Sequence, residues 1–374
     1  MTSALHDQTL SLGALVREQT WILEDRLRKL VPTPTQHAAR QIVLTGSGDS
    51  AIAASAGEQA MRELVGVPAI ALPSLPAARY LLPLYDREYP ATPFLFAISN
   101  SGEVARVVEA ARTCRAGGGF VVALTSASES RLAGAADRVL DIAAPPFPAS
   151  PGMRSYVQAV LAVDLFAIRL AEVRGRITMD QAQALRGELA GLGDILDEVA
   201  GSADDALRDL ATEWAGLPAI EALGSGPSAA SAAFLSAKVL EATGARSAAV
   251  DVEEFVHLQY FERDARATGT VLFAPTGSAL ATRADEVQRY LATLERPTLV
   301  VGESALHPSV RIPPVREIFV PLVHATIAGL LAAHLAEVTG EEPGRGSRGQ
   351  WADSSGGATT RESAIETPAR SRVA

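Results

Sequence analysis

The amino-acid sequence predicts an α/β protein built from two tandem copies of one parallel-sheet domain. Three observations carry this reading. Short, nearly continuous apolar runs alternate with helical patterns, as in QIVLTGSG (41–48), PFLFAIS (93–99) and GFVVALT (119–125). Strands that are apolar throughout belong to a parallel sheet covered by helices on both faces. The pattern then recurs without a gap. IVLTGSGDSAIAASAGEQAMRELVGVPAIAL (42–72) lies over IEALGSGPSAASAAFLSAKVLEATGARSAAV (220–250), pairing Gly46 with Gly224, Gly48 with Gly226, Ser50 with Ser228, Glu63 with Glu241 and Gly66 with Gly244. Every pair is 178 positions apart (224 − 46), and a constant offset marks a duplicated domain. Finally, 374 residues, 48% of them apolar, suit two to three domains of roughly 150 residues each.

The elements follow in order. Leu12, Leu15, Val16, Ile22, Leu23, Leu27 and Leu30 recur at helical spacing and predict one helix over 9–30, ended by the Pro-Thr-Pro-Thr break at 32–35. A strand at 41–48 leads into an Ala-rich helix at 50–65. Strands at 68–72, 93–99 and 119–125 follow, with helices at 102–117 and 130–136. Helical stretches near 155–173 and 180–213 connect the copies. The second copy continues with a strand at 269–276, a helix at 279–294 and a strand at 297–302. Pro321–Val338 is the longest apolar stretch, but His324, His334 and Glu337 make it a buried or half-buried helix rather than a membrane span. The last 35 or so residues are rich in Gly, Ser, Thr, Arg and Pro and predict a disordered tail. The expected division is an N-terminal helix (1–35), a first domain (36–175), a helical connector (176–213), a second domain (214–338) and the tail (339–374).

Composition excludes several classes. Thirty-three basic against 43 acidic residues give a net charge of −10, which argues against nucleic acid as the main partner. The single cysteine, Cys114, excludes an intramolecular disulfide and any CxxC site. Met1 to Thr20 has no basic segment followed by an apolar run, so a cytoplasmic protein without a signal peptide or membrane partner is expected. Only Lys29 and Lys238 are lysines.

Two loops could carry chemistry. GSGDS at 46–50 joins a strand to a helix; its glycines let the backbone approach a ligand, and the helix start favours an anion. Taken alone it is equally well a tight strand–helix turn. SNSGE at 99–103 also follows a strand, at the carboxyl edge where open parallel sheets bind ligands. Ser50, Ser99, Asn100 and Ser101 would bring hydroxyl and amide donors together as a phosphate cradle that needs neither lysine nor metal. Neither GxxxxGK[ST] nor, at 46–51, GxGxxG is present. Lys238 and Glu241 sit at i and i+3 on the helix after GSGPS and share a face, as an exposed ion pair or as an acid–base pair. His324 and His334 are expected in the core. With His6, His37 and His307 scattered, no metal site and no cofactor is expected.

GSGDS and SNSGE together resemble the sugar-isomerase (SIS) domain, a phosphosugar-binding, flavodoxin-like three-layer fold. The double copy is similar, over about 10–338, to the isomerase half of glucosamine-6-phosphate synthase and to the SIS-type amino sugar phosphate deaminases and deglycases. The resemblance implies phosphate contacts from Ser50, Ser99, Asn100 and Ser101, and sugar contacts near Ser47 and Gly48. Ser155 in GMRSY matches a serine of the family's third ligand loop. Val104 stands where a phosphate-binding threonine is frequent, and the second copy lacks the Ser-x-Ser-Gly-Glu partner, implying a degenerate phosphate loop there. Glu241 falls on the isomerisation base, Lys238 on its neighbour, and His257 on a ring-opening histidine that serves the neighbouring subunit's site, which implies a homodimer with shared active sites. The usual Gly-Pro after that histidine is replaced by Leu258-Gln259. Asp49 adds a carboxylate that suits a substrate ammonium, or caps the following helix. Thr2 stands where the synthase's glutaminase half begins with cysteine, and the tail after Gly340 has no lysine. Amination with glutamine is therefore not expected, and ammonia would come from a separate source. The implied activity is aldose–ketose isomerisation coupled to deamination or deglycation of an amino sugar phosphate. The alternatives are plain isomerisation, amination with partner-supplied ammonia, and a non-catalytic phosphosugar-binding regulator.

Overall fold

In the computed structural model, residues 3–85, 93–342 and 358–366 are described. The chain begins with three helices, α1 (Ala4–Leu10), α2 (Leu12–Arg28) and α3 (Thr33–Ala38). The single helix expected over 9–30 is thus interrupted. Ser11 closes α1, its N–H bonding back to Asp7, Gln8 and Thr9 carbonyls. The first repeat then runs β1 (Ile42–Gly46), α4 (Asp49–Ala60), β2 (Ala69–Pro73), α5 (Ser74–Pro76), β3 (Phe94–Ile98), α6 (Ala105–Ala116), β4 (Phe120–Thr125), α7 (Arg131–Ala135) and β5 (Arg138–Asp141). Two long helices follow, α8 (Met153–Val173) and α9 (Met179–Trp214). The second repeat runs β6 (Ala219–Leu223), α10 (Pro227–Thr243), β7 (Arg246–Val250), α11 (Val252–Leu258), β8 (Thr268–Ala274), α12 (Ala281–Thr293), β9 (Thr298–Gly302), β10 (Ser309–Val310) and α13 (Val320–Thr339).

Each repeat makes a five-stranded, all-parallel sheet. The strand orders are β2-β1-β3-β4-β5 and β7-β6-β8-β9-β10, one topology used twice. The duplication extends to backbone detail. Gly48 and Gly226, the N-caps of α4 and α10, adopt φ/ψ of 56/−133° and 57/−134°. The C-terminal glycines Gly66 and Gly244 both turn left-handed, with φ of 69° and 71°.

The chain divides into two compact units. The first holds the described residues of Leu15–Pro146, Ser155–Gly191 and Ala352–Ala374; the second holds those of Met1–Ala14, Phe147–Arg154 and Leu192–Trp351. In the first unit, β1 and β3 are buried at every position. One face of this sheet packs Val43, Leu95, Ala97, Val121 and Ala123 against Val107, Val108 and Ala111 of α6. Elsewhere α4 meets α8 so closely that a Cβ on Gly57 would lie 2.1 Å from Val163. In the second unit α13 is buried from Val320 to Ala336, as its uninterrupted apolar sequence requires. Glu317–Thr339, the one described segment long and apolar enough to cross a membrane, lies wholly inside the protein.

A buried ion network fastens the helices of the first unit. Arg186 of α9 is fully buried and reaches Glu24 of α2 (Nε–Oε1 2.9 Å) and Glu172 of α8 (Nη2–Oε2 2.6 Å). Burial alone would raise the Glu172 carboxyl, but hydrogen bonds from Arg186 and Arg169 hold it below its ordinary value. Removing one partner of such a network strands the others in a dry interior. Arg186→Met is expected to cost about 3–5 kcal/mol in urea unfolding at neutral pH. Because the folded Glu172 is depressed, its stabilisation is complete above the ordinary carboxylate range and is lost as pH falls through the lowered value. The gap between wild type and variant should therefore narrow in acid.

Candidate functional site

The first unit brings the expected phosphate loops together. β1 and β3 are adjacent with Thr45 opposite Ala97, so the chain emerges from both at the same level, at Ser47 and at Ser99. From the first exit α4 starts at Gly48, and from the second α6 starts at Val104; no side chain caps either helix. An uncapped start leaves backbone N–H groups for an external acceptor, reinforced by the helix dipole. Ser99 is buried, and its Oγ has no hydrogen-bond partner among the described residues. Such a hydroxyl at a helix-lined carboxyl edge is poised for a ligand oxygen.

The remaining loop residues are held by neighbours. Ser50 and Asp49 lie in the first turn of α4, and Ser47 Oγ pairs with Ser74 Oγ at 2.6 Å. Asn100 Oδ1 accepts from Ser126 Oγ (2.6 Å), which leaves the amide nitrogen as its donor, and Ser101 Oγ accepts from Glu103 N–H (3.3 Å). Gly102 turns left-handed at φ 65°, where a Cβ would strike Ser130 Oγ at 1.9 Å. Glu103 accepts from Arg131 N–H (3.0 Å) and Arg131 Nε (2.7 Å), and these bonds hold its carboxyl below the usual range. The Glu of SNSGE thus anchors the loop to α7 and is not itself a donor to ligand. Ser155 stands in the first turn of α8, and the adjacent Tyr156 lies within electrostatic reach of Asp49. Ser74, Ser126 and Arg131 had escaped the sequence reading. For Ser74 a signal existed, since the 178-residue offset places it on Val252, beside Asp251.

The equivalent loop of the second unit carries a carboxylate. Ser225, the repeat of Ser47, bonds Asp251 Oδ2 at 2.6 Å, while Asp251 Oδ1 caps α11 through Glu253 and Glu254 N–H. A fixed negative charge stands where the first unit has the neutral Ser74, which disfavours an anion at GSGPS.

The acid–base candidates lie in this second unit. Lys238 is fully buried in α10, 5.1 Å from the Phe234 ring centre, with Nζ 2.5 Å from Glu241 Oε2. Glu241 is 41% exposed. The pair is therefore not the fully exposed one that helical spacing alone allows: a dry ammonium holds a carboxylate at the surface. His257 is not joined to this pair in the same way. It lies exposed on α11, with Nε2 3.1 Å from Glu253 Oε1, and Arg283 holds the same Glu253 at 2.7 Å. His324 is a core residue as expected. Its Nδ1 meets Ser231 Oγ at 2.8 Å, and burial pushes it down to about 3, so the ring is neutral.

Two expectations need correction. Ala358–Glu362, inside the expected disordered tail, form a short π-helical turn, and Ile365 packs on the core around α6. The buried Glu109 anchors this segment by accepting from Glu366 N–H at 3.0 Å; the rest of 343–374 lies outside the described residues. The histidines are also not all scattered: His6 is buried with its ring centre 5.3 Å from that of His334. Helices α1 and α13, far apart in sequence, pack together, which no local spacing reveals.

The first unit is thus an α/β domain whose parallel sheet collects two uncapped helix starts and a buried hydroxyl without a partner among the described residues at its carboxyl edge. Residues 37–169 match the SIS domain family model. It is 33% identical over 179 residues to glutamine–fructose-6-phosphate aminotransferase (isomerizing) of Symbiobacterium thermophilum, a match covering 48% of this chain and 28% of that relative. The chain thus spans well under half the length of that curated relative. The C-terminal domain of glucosamine-fructose-6-phosphate aminotransferase from Francisella tularensis superposes with a TM-score of 0.79 at 14% identity, covering 92% of this chain and 98% of that one. Tagatose-6-phosphate ketose/aldose isomerase from Escherichia coli superposes at 0.72 and 17% identity, covering 91% and 94%. At these identities the superpositions establish the shared two-sheet fold.

If these loops hold a phosphate group, Ser99→Ala should weaken its binding about 10- to 100-fold, the worth of one hydrogen bond to a charged group, about 1.5–3 kcal/mol. Calorimetric titration of both proteins reads this directly. An unchanged affinity would remove Ser99 from the cradle.

Proposed function

We propose that the chain binds a sugar phosphate, with the phosphate at Ser50, Ser99, Asn100 and Ser101, and moves a proton between C1 and C2 of its open-chain form. The observation that carries this reading is the pair of uncapped helix starts beside the buried Ser99 hydroxyl. The names of the relatives, an aminotransferase that isomerises fructose 6-phosphate and a ketose/aldose isomerase, support the substrate class.

In this reading the phosphate provides binding energy remote from the reacting carbons. His257 protonates the ring oxygen to open the sugar. Glu241 takes the proton from C2 and returns it to C1. The buried Lys238 holds Glu241 in place at the protein surface. A positioned base contributes about 10²–10⁴-fold. For a 2-amino sugar the enolamine so formed becomes an imine at C2, which water hydrolyses to ketose and ammonia. Asp49, in the first turn of α4, supplies a carboxylate for the substrate ammonium, which favours this deaminating or deglycating course over plain isomerisation.

The assembly proposed is a homodimer in which His257 serves the partner's sugar. Leu258, Tyr260 and Phe261, directly after His257, are 60%, 48% and 72% exposed, an apolar surface that a second copy would cover. A second reading, a phosphosugar-binding regulator without turnover, is favoured by one observation: the His257 ring is tied to Glu253, which Arg283 also holds.

Incubation with a panel of sugar and amino sugar phosphates in D₂O, followed by NMR, separates the two. Deuterium entering at C2 supports the enzyme; tight binding without exchange supports the regulator. Glu241→Gln should abolish exchange while changing affinity less than tenfold, about 1.4 kcal/mol. Exchange above a few per cent of wild type would place the base elsewhere. Mixed Ser99→Ala/Ser101→Ala and His257→Ala protomers should regain part of the activity each lacks alone. If they stay inactive after subunit exchange, the shared-site dimer is wrong.

A further inference from the structure

We propose that His6, Asp204 and His334 form a binding site for one divalent transition-metal ion of the zinc class. The three residues come from α1, α9 and α13 of the second unit and take no part in the chemistry proposed above. His6 Nε2 lies 3.0 Å and His334 Nε2 2.6 Å from the same oxygen, Asp204 Oδ1. The three ligand atoms all fall within 4.8 Å of one another. The imidazoles are nearly sealed, with side-chain exposures of 7% for His6 and 2% for His334, while Asp204 at 23% opens one side to water.

The donor pattern suits a metal. Each ring also turns its Nδ1 toward a carboxylate: His6 toward Asp7 Oδ1 and His334 toward Glu337 Oε2, both at 3.9 Å. Neither Nδ1 has a hydrogen-bond partner among the described residues. A neutral imidazole carries one N–H and one lone pair. A divalent ion would use both on each ring. It takes the two Nε2 lone pairs and Asp204 Oδ1, and each Nδ1–H then faces its carboxylate, the outer arrangement that metal-bound histidines commonly show.

Geometry and ligand type agree. Zinc bonds of about 2.0–2.2 Å place tetrahedral ligand atoms about 3.3 Å apart, so the observed Nε2–Oδ1 spacings of 3.0 and 2.6 Å would widen by about 0.3 and 0.7 Å on binding. Arg208 Nη2 holds the other oxygen, Asp204 Oδ2, at 3.1 Å, which fixes the carboxylate to bind through Oδ1 alone. Two imidazoles and one carboxylate suit Zn²⁺, Co²⁺ or Ni²⁺ better than Mg²⁺ or Ca²⁺. The fourth position, on the open side of Asp204, takes water. The ion would clasp α1 to α9 and α13.

The test uses the full chain without a histidine tag, dialysed against EDTA. Titration with Co²⁺ should give visible ligand-field bands that saturate at one equivalent and are displaced by Zn²⁺. On Zn²⁺ addition, the Nε2 resonances of two histidines should shift in ¹⁵N NMR. Asp204→Asn and His6→Gln, each checked for native circular dichroism, should weaken Zn²⁺ at least about 100-fold, more than losing an outer partner costs. Wild-type protein with no saturable Co²⁺ spectrum overturns the proposal. So does Zn²⁺ uptake that leaves these two resonances unmoved, a result that needs no folded variant, or equal uptake by the folded variants.

Discussion

Both halves of this molecule depend on a backbone conformation that only glycine adopts comfortably. At Gly48 and Gly226 the chain leaves a buried strand and must start a helix at once, with φ near 56°. Two residues earlier, Gly46 and Gly224 let the helix fold back against its own strand. A Cβ there would lie 2.5 Å from the Ser50 carbonyl group or 2.2 Å from the Ser228 oxygen. This turn delivers the uncapped end of α4 to the carboxyl edge of the sheet, and the serines around it follow from where the helix begins. A side chain at either glycine would move the helix before it touched any ligand.

From this common frame the two copies have taken different parts. The neighbour of Ser47 is a hydroxyl and that of Ser225 is a carboxylate. The carboxylate makes the second turn a structural knot that starts α11. The second copy carries the buried lysine and surface glutamate on α10 and the exposed histidine on α11. The two copies thus differ in the side chains around the same turn without either changing its topology.

Much of this was legible in the sequence, and the reason is local. The constant offset between glycines predicted the repeated sheet, and apolar runs such as that of β3 predicted its burial on both faces. GSGDS and SNSGE located the loops because a strand followed by small polar residues and a helix is a short-range signal. What escaped depends on contacts distant in sequence. Ser126 supports Asn100, Glu109 captures residue 366, and His6 meets His334 across more than three hundred positions. The break at Ser11 escaped because the apolar stripe of α2 continues through it. The burial of Lys238 was invisible because helical spacing shows which side chains share a face, not whether that face is dry.

Some of the divisions between the compact units fall inside helices. α9 runs from Met179 to Trp214, and the division comes at Gly191, in mid-helix; α2 is divided after Ala14. A polypeptide cut at the sequence midpoint would sever α9, leaving each fragment with half a helix whose apolar face has lost its continuation. A fragment that holds one sheet alone would inherit a truncated α9, so the covalent continuity of that helix ties the two repeats into a single gene product.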